Sequence, residues 1–190
     1  NPCLFLINTN KATTKITNSH SYFLTGGRLV AYKRYDLAIQ ACSRLNLPLI
    51  VFGDGPVRAE LEKMAGSNVL FVGKVNDEEK QNLYRNCKAF INPQVEDFGI
   101  TPIEAMSMGR PVIAFREGGV TETVVDGVTG TFFDEQSWEV LADAVLHFDT
   151  LKFDPEKIAE HAAAFSKERF KNELELFVTK EWEKFQVQLP

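Results

Sequence analysis

A doubly wound α/β fold, a parallel sheet with helices on both faces, is what this chain predicts. Three observations carry that expectation. From Tyr22 onward, apolar runs of strand length alternate with stretches whose apolar residues recur at helical spacing. Gly- and Pro-bearing turns separate the two kinds of segment. A strand-to-helix turn at Glu96–Glu104 has the form in which an open α/β sheet builds a ligand site, an exposed loop at a strand's C-terminal end with a helix N-terminus aimed into the crevice.

The elements follow in order. Cys3–Ile7 is a short apolar run, and Asn8–Ser19, rich in Thr, Asn and Lys, reads as a loop, so residues 1–20 are an N-terminal segment or linker and 21–190 one domain. Tyr22–Thr25 reads as a strand. Arg34–Leu45 is a helix with Leu37, Ala38, Ala41 and Leu45 on one face. Leu49–Phe52 is a buried strand, Pro56–Met64 a helix opened by Gly55-Pro56, and Val69–Val72 another strand. Asn76-Asp77-Glu78-Glu79 starts a helix with a cap and early acids that complement its dipole. Ala89–Asn92 and Val112–Phe115 are strands flanking a helix for which Thr101 suits the N-cap, Pro102 the first helical position, and Gly109-Arg110-Pro111 the stop. A short helix follows Gly119, turns at Asp126-Gly127 and Thr129-Gly130 bracket a last strand near Thr131–Phe133, and residues 137–186 are mostly helical. Phe170, Leu174, Phe177, Val178, Trp182 and Phe185 form an apolar stripe at helical spacing, which reads as a helix docked on its own core.

Composition narrows the class. The chain has 190 residues, 44% hydrophobic and 25% charged, which suits one soluble globular domain with a real core. Its net charge of −5 and lack of a basic run exclude a nucleic-acid footprint. Cys3, Cys42 and Cys87 are scattered and odd in number, with no zinc spacing, so reduced thiols of a cytoplasmic protein are expected. No apolar run is long enough to span a membrane and no signal peptide is visible. His20, His147 and His161 lie outside the motif loops and read as structural or surface residues. No G-x-G-x-x-G is present, so a dinucleotide site is not supported.

Candidate site residues concentrate in Glu96-Asp97-Phe98-Gly99-Ile100-Thr101-Pro102-Ile103-Glu104. Carboxylates flanking the free amides of Phe98, Gly99 and Ile100 suit a ligand that is both hydroxyl-rich and anionic. Each acid also has a plainer use. Thr101 and Glu104 match a capping box, and Glu96 can be a solvated loop acid. Arg28 and Lys33, a few residues past the first strand of the domain, fall at the same sheet edge as Glu96, as anion ligands or as solvated cations. Gly118 and Gly119 serve equally as turn formers or ligand contacts.

The spacing of Glu96 and Glu104 resembles the E-x7-E motif of retaining GT-B glycosyltransferases, glycosyltransferase family 4. Gly27-Arg28-Leu29 with Lys33-Arg34-Tyr35-Asp36, Phe52-Gly53-Asp54-Gly55-Pro56, Phe71-Val72-Gly73-Lys74-Val75, Gly109-Arg110-Pro111-Val112-Ile113-Ala114 and Gly118-Gly119-Val120-Thr121-Glu122 are similar to that family's other motifs, in the same order over roughly residues 22–170. The wording Glu96–Pro102 and the tail Phe165–Phe170 look most like mannosyltransferases of surface-polysaccharide synthesis, lipopolysaccharide included. The resemblance implies a Rossmann-like doubly wound sheet forming the C-terminal, donor-binding half of a GT-B architecture, whose final helix, the one with the Phe170–Phe185 stripe, would cross back to the other domain. It implies transfer of a hexosyl group, mannosyl from GDP-mannose, to a growing polysaccharide or lipid-linked acceptor with retention and with no metal or cofactor. Arg28 and Lys33 would contact the diphosphate, Glu104 the ribose hydroxyls, the backbone at Lys74 and Val75 the base, and Glu96 with the amides of Phe98, Gly99, Ile100 and Thr101 the transferred sugar and phosphate. Glu96 would be the catalytic residue, orienting and electrostatically supporting the donor. The partners implied are a nucleotide-sugar donor, an N-terminal GT-B domain, which in that family is joined to this one at the position of residues 1–20, and a glycan or lipid-linked acceptor. The setting implied is the cytoplasm, peripheral to the membrane face through the other domain. These residues alone would then bind donor without efficient transfer. A non-catalytic sugar-nucleotide module and a GT-B UDP-sugar epimerase are the competing readings.

Overall fold

The computed structural model describes residues 5–9, 12–16 and 21–187. Strands β1 (Phe5–Thr9) and β2 (Ala12–Ile16) pair antiparallel as a separate two-stranded sheet. This corrects the expectation of a loop over Asn8–Ser19. Ala12–Ile16 carries three β-branched residues, Thr13, Thr14 and Ile16, which favour a pleated strand despite their polarity. Cys3 and His20 lie outside the described residues.

The main sheet has six strands, β3 (Phe23–Arg28), β4 (Leu49–Asp54), β5 (Val69–Gly73), β6 (Ala89–Asn92), β7 (Val112–Phe115) and β8 (Gly130–Phe133). Their order is β5-β4-β3-β6-β7-β8 and every neighbouring pair is parallel. The chain therefore builds outward from β3 in one direction, returns beside it with β6, and builds outward in the other. That reversal makes the gap between the C-terminal ends of β3 and β6 the topological switch point, where such sheets bind ligands. β3 and β6 pair only at Phe23↔Ala89 and Leu24↔Phe90. Beyond that the strands part, and the buried Thr25 hydroxyl donates to the Ile91 carbonyl at 2.8 Å, satisfying a group the ladder no longer reaches.

Alternate side chains of the strands feed two cores. Phe23, Leu49, Val51, Ile91 and Ile113 pack with α1 (Tyr35–Arg44) and α6 (Trp138–Leu146) on one face. Leu24, Ile50, Phe52, Phe90 and Val112 pack on the other face with α3 (Asp77–Asn86), α4 (Ile100–Ser107) and α7 (Pro155–Ala163). Two shorter helices, α2 (Arg58–Met64) and α5 (Val120–Thr123), complete the connections. Sequence signals fix several starts. Asn76 and Glu79 form a reciprocal capping box on α3, and the Asp154 carboxylate caps α7, whose first residue is Pro155.

The last helix, α8 (Lys167–Val187), is exposed along its length from 167 to 186. Phe177 is 62% and Trp182 57% exposed. Of the two readings of its apolar stripe, a helix docked on this domain's own core is the one the described residues rule out. Among them, no helix is long and apolar enough to cross a membrane.

Candidate functional site

The switch point gathers most of the anticipated residues. Arg28 ends β3, and Lys33 closes a 3₁₀ turn at Ala31–Lys33. The loop after β6 brings Glu96 to Lys33, with Nζ and Oε1 2.8 Å apart and side chains only 13% and 20% exposed. The second Glu96 oxygen, Oε2, accepts from the Gln94 amide nitrogen at 3.2 Å. Glu96 is therefore a held carboxylate rather than a solvated loop acid.

Glu104 is held in the same way. Its Oε1 accepts from Lys80 Nζ at 2.8 Å and its Oε2 from the Tyr84 hydroxyl at 3.0 Å. The hydrogen bond to Glu104 raises the Lys80 pKa above the ordinary lysine value, so this cation stays charged. Burial raises the Tyr84 pKa well above the ordinary phenol value, with the Glu104 charge adding to it, so the phenol remains a donor. The expected capping box at Thr101 is absent. α4 begins at Ile100, because Gly99 takes φ +81° as the N-cap, and no side chain caps the helix. Thr101 is then already inside the helix, and its hydroxyl has no hydrogen-bond partner among the described residues. Pro102 lands at the third helical position rather than the expected first, still within the first turn where its missing N–H costs nothing, and the amides of Gly99, Ile100 and Thr101 are left without intrahelical acceptors.

A cleft of about 720 Å³ opens beside these residues, lined by Gly27, Arg28, Asp54, Lys74, Val75 and Lys80 among others. Three cations thus face one space of ligand size. Gly27 connects the cleft to the Lys33–Glu96 pair, since a Cβ there would stand 3.8 Å from Lys33 Nζ and 2.9 Å from the Tyr35 hydroxyl. That hydroxyl is buried and has no hydrogen-bond partner among the described residues.

Phe98 is 48% exposed and rests edge-on against Phe165, with centroids 6.2 Å apart; Ile100 is exposed. The Gly118 and Gly119 ambiguity resolves toward packing. The Gly119 N–H donates to the Glu96 carbonyl at 2.8 Å, and a Cβ on Gly119 would come within 2.3 Å of the Asp97 carbonyl oxygen. This pair buttresses the Glu96 loop from behind. His161 bonds the Thr123 carbonyl at 2.8 Å and packs on Phe165, a structural use, while His147 is exposed beside Asp143.

Four contributors were missed by sequence reasoning, namely Tyr35, Lys80, Tyr84 and Gln94. Lys80 and Tyr84 stand one helical turn apart, which puts them on one face of α3, a signal that the sequence did hold. For Gln94 we find no such signal.

The comparisons with known proteins bear on this geometry. Residues 7–168 match the model of glycosyl transferases group 1. An O-antigen chain mannosyltransferase C from Escherichia coli is 32% identical over 137 residues, 68% of this chain and 37% of that protein. A GDP-mannose-dependent α-(1-6)-phosphatidylinositol monomannoside mannosyltransferase from Mycolicibacterium smegmatis is 32% identical over 155 residues, 72% of this chain and 40% of that protein. Among solved structures, Anabaena HepE in complex with UDP and glucose superposes with a TM-score of 0.67 at 24% identity, over 90% of this chain and 49% of that one. The match to such GT-B structures concerns the fold, a Rossmann-like parallel sheet flanked by helices. The chain spans less than half the length of these relatives. With the family model covering most of its length, the chain belongs to the group 1 glycosyl transferases.

Proposed function

We propose that these residues are the donor-binding half of a retaining hexosyltransferase of glycosyltransferase family 4, one that takes mannosyl from GDP-mannose without a metal ion. The observation that carries the proposal is the pair of held carboxylates at the switch point, Glu96 by Lys33 and Gln94 and Glu104 by Lys80 and Tyr84, beside a cleft with three cations. A nucleotide diphosphate sugar presents both chemistries this arrangement suits. Its diphosphate calls for cations and free amides, and its ribose and hexose hydroxyls call for fixed acceptors. Arg28, as a forked donor, and Lys33, with two of its three protons still to place, would neutralise the diphosphate. Their charges are the reason that no metal is needed in this reading. Glu104 accepts from the ribose hydroxyls, the backbone at Lys74 and Val75 meets the base, and the amides from Phe98 to Thr101 take the donor phosphate and sugar.

Glu96 is the catalytic residue of the reading. It orients the hexose and stabilises charge at the reacting centre, while a leaving phosphate oxygen removes the acceptor's proton on the same face, giving retention. The glycan or lipid-linked acceptor then belongs to an N-terminal domain, and the work is done in the cytoplasm, peripheral to the membrane face. The mannosyltransferase relatives support the sugar, and the Mycolicibacterium protein's GDP-mannose dependence supports the donor.

A thermal-shift panel with GDP, GDP-mannose, UDP-glucose, UDP-N-acetylglucosamine and ADP-glucose tests the donor. A ligand present at a hundred times its Kd adds about 2.7 kcal/mol of stability, a readable shift. A shift confined to the two guanine ligands is the expected result. A uridine or adenine preference overturns the mannosyl donor while keeping the enzyme class, and no shift with any ligand overturns donor binding by this half alone.

A further inference from the structure

We infer that Lys80 and Tyr84 are positioning residues that fix the Glu104 carboxylate for ribose, a role that rests on the ribose contact proposed above. The two groups reach Glu104 from one face of α3, and each takes a different oxygen, at 2.8 Å and 3.0 Å. Binding both oxygens from the same side fixes the plane of the carboxylate. Each oxygen keeps a further lone pair for a ligand. Tyr84 is a stiff anchor because it is 1% exposed and its ring stands edge-on to both Phe52, at 5.9 Å, and Phe90, at 5.6 Å. Lys80 is the adaptable anchor. Its side chain lines the cleft, and its other ion-pair partner, Asp77 at 3.7 Å, is almost fully exposed and weakly placed to compete.

A glutamate lying free at a cleft would lose rotamer freedom when it met two hydroxyls. Here that ordering is done before the ligand arrives. Releasing either anchor is therefore expected to weaken the hydroxyl contact about three- to tenfold, the cost of immobilising one flexible side chain. Lys80 is also a cation facing the ligand, so its loss weakens any diphosphate. The ratio of affinities for a ribonucleotide and its dideoxy counterpart cancels that electrostatic part and isolates the positioning role.

The test is a calorimetric titration with GDP and UDP, each against its 2′,3′-dideoxy form, on the wild type and on Lys80→Met, Lys80→Arg, Tyr84→Phe and Glu104→Gln, after circular dichroism has shown which variants fold. The expected result has four parts. The wild type prefers the ribonucleotide, Glu104→Gln abolishes the preference, Lys80→Met and Tyr84→Phe each cut it three- to tenfold, and Lys80→Arg restores most of it. If Glu104→Gln abolishes the preference and Lys80→Met keeps it whole, the inference is overturned and the ribose reading stands. If the wild type shows no preference, the ribose reading fails and the inference fails with it. Lys80→Met changes an incompletely buried side chain, so the test survives a Tyr84→Phe variant that does not fold.

Discussion

Glu104 shows how one residue can satisfy a local sequence rule and serve another purpose. Thr101 and Glu104 have capping-box spacing, and that rule takes the helix to start just after Thr101. Gly99, with its left-handed backbone, starts it at Ile100 instead, so Glu104 falls at the fifth helical position, beyond reach of the N-cap amide. Tertiary partners on α3 then capture it. The backbone of Gly99 was not readable from pattern, because glycine permits that conformation without announcing it. The acids and cations themselves were legible, since Glu96, Glu104, Arg28 and Lys33 are charged side chains in loops and first turns at one sheet edge. Tyr35 was not, because an aromatic residue in the first turn of an amphipathic helix reads as core, and its ring is core. Its hydroxyl is the anomaly. A buried donor without a partner costs about 1–3 kcal/mol, so Tyr35→Phe is expected to leave stability unchanged or raise it by about 1 kcal/mol in urea denaturation. A loss of stability of that size would show that the hydroxyl has a partner in solution.

At the scale of elements, the strands of the main sheet were legible because both faces are covered, which leaves short uninterrupted apolar runs such as Leu49–Phe52. Helix starts with strong caps, Asn76 and Asp154, came with them. What a single sequence does not encode openly is strand order. The crossing back from β5 to β6 beside β3, which creates the site, depends on which strands find each other across α3. α8 is the clearest case of an element formed without a packing partner among the described residues. It is supported by intrahelical pairs such as Arg169–Glu173 at 2.7 Å and Glu181–Lys184 at 2.6 Å, which contribute only tenths of a kcal/mol each. Truncation after Ser166 is therefore expected to change the folding stability of the sheet domain by less than about 1 kcal/mol. A large drop in the urea midpoint would mean that the apolar stripe of α8 packs on this domain after all.

At the scale of the whole molecule, two cores on opposite faces of one sheet carry the fold, and each contains a buried thiol, Cys42 in one and Cys87 in the other. Burial raises both pKa values from 9.0 to about 12. The native state thus holds its thiol protons where the unfolded chain releases them. The sign follows directly. This stability is complete well below pH 9 and drains as pH rises through 9 toward 12, each thiol adding its own share to the loss. Denaturation at pH 8 and pH 10.5 is expected to show the loss, and Cys87→Ala to flatten the slope by half of the thiol contribution; an equal slope in the variant would refute that assignment. The chain spans less than half the length of these relatives, so the proposed chemistry is tested here at the switch-point site. The most direct measurement of that site is calorimetric titration of GDP and GDP-mannose into the wild type, Glu96→Gln and Glu104→Gln. Losing the hydrogen bonds of a charged acceptor costs about 1.5–3 kcal/mol, so Glu104→Gln is predicted to weaken both ligands roughly 10- to 100-fold, and Glu96→Gln to weaken GDP-mannose while sparing GDP. Wild-type affinity for both ligands in both folded variants would contradict the account.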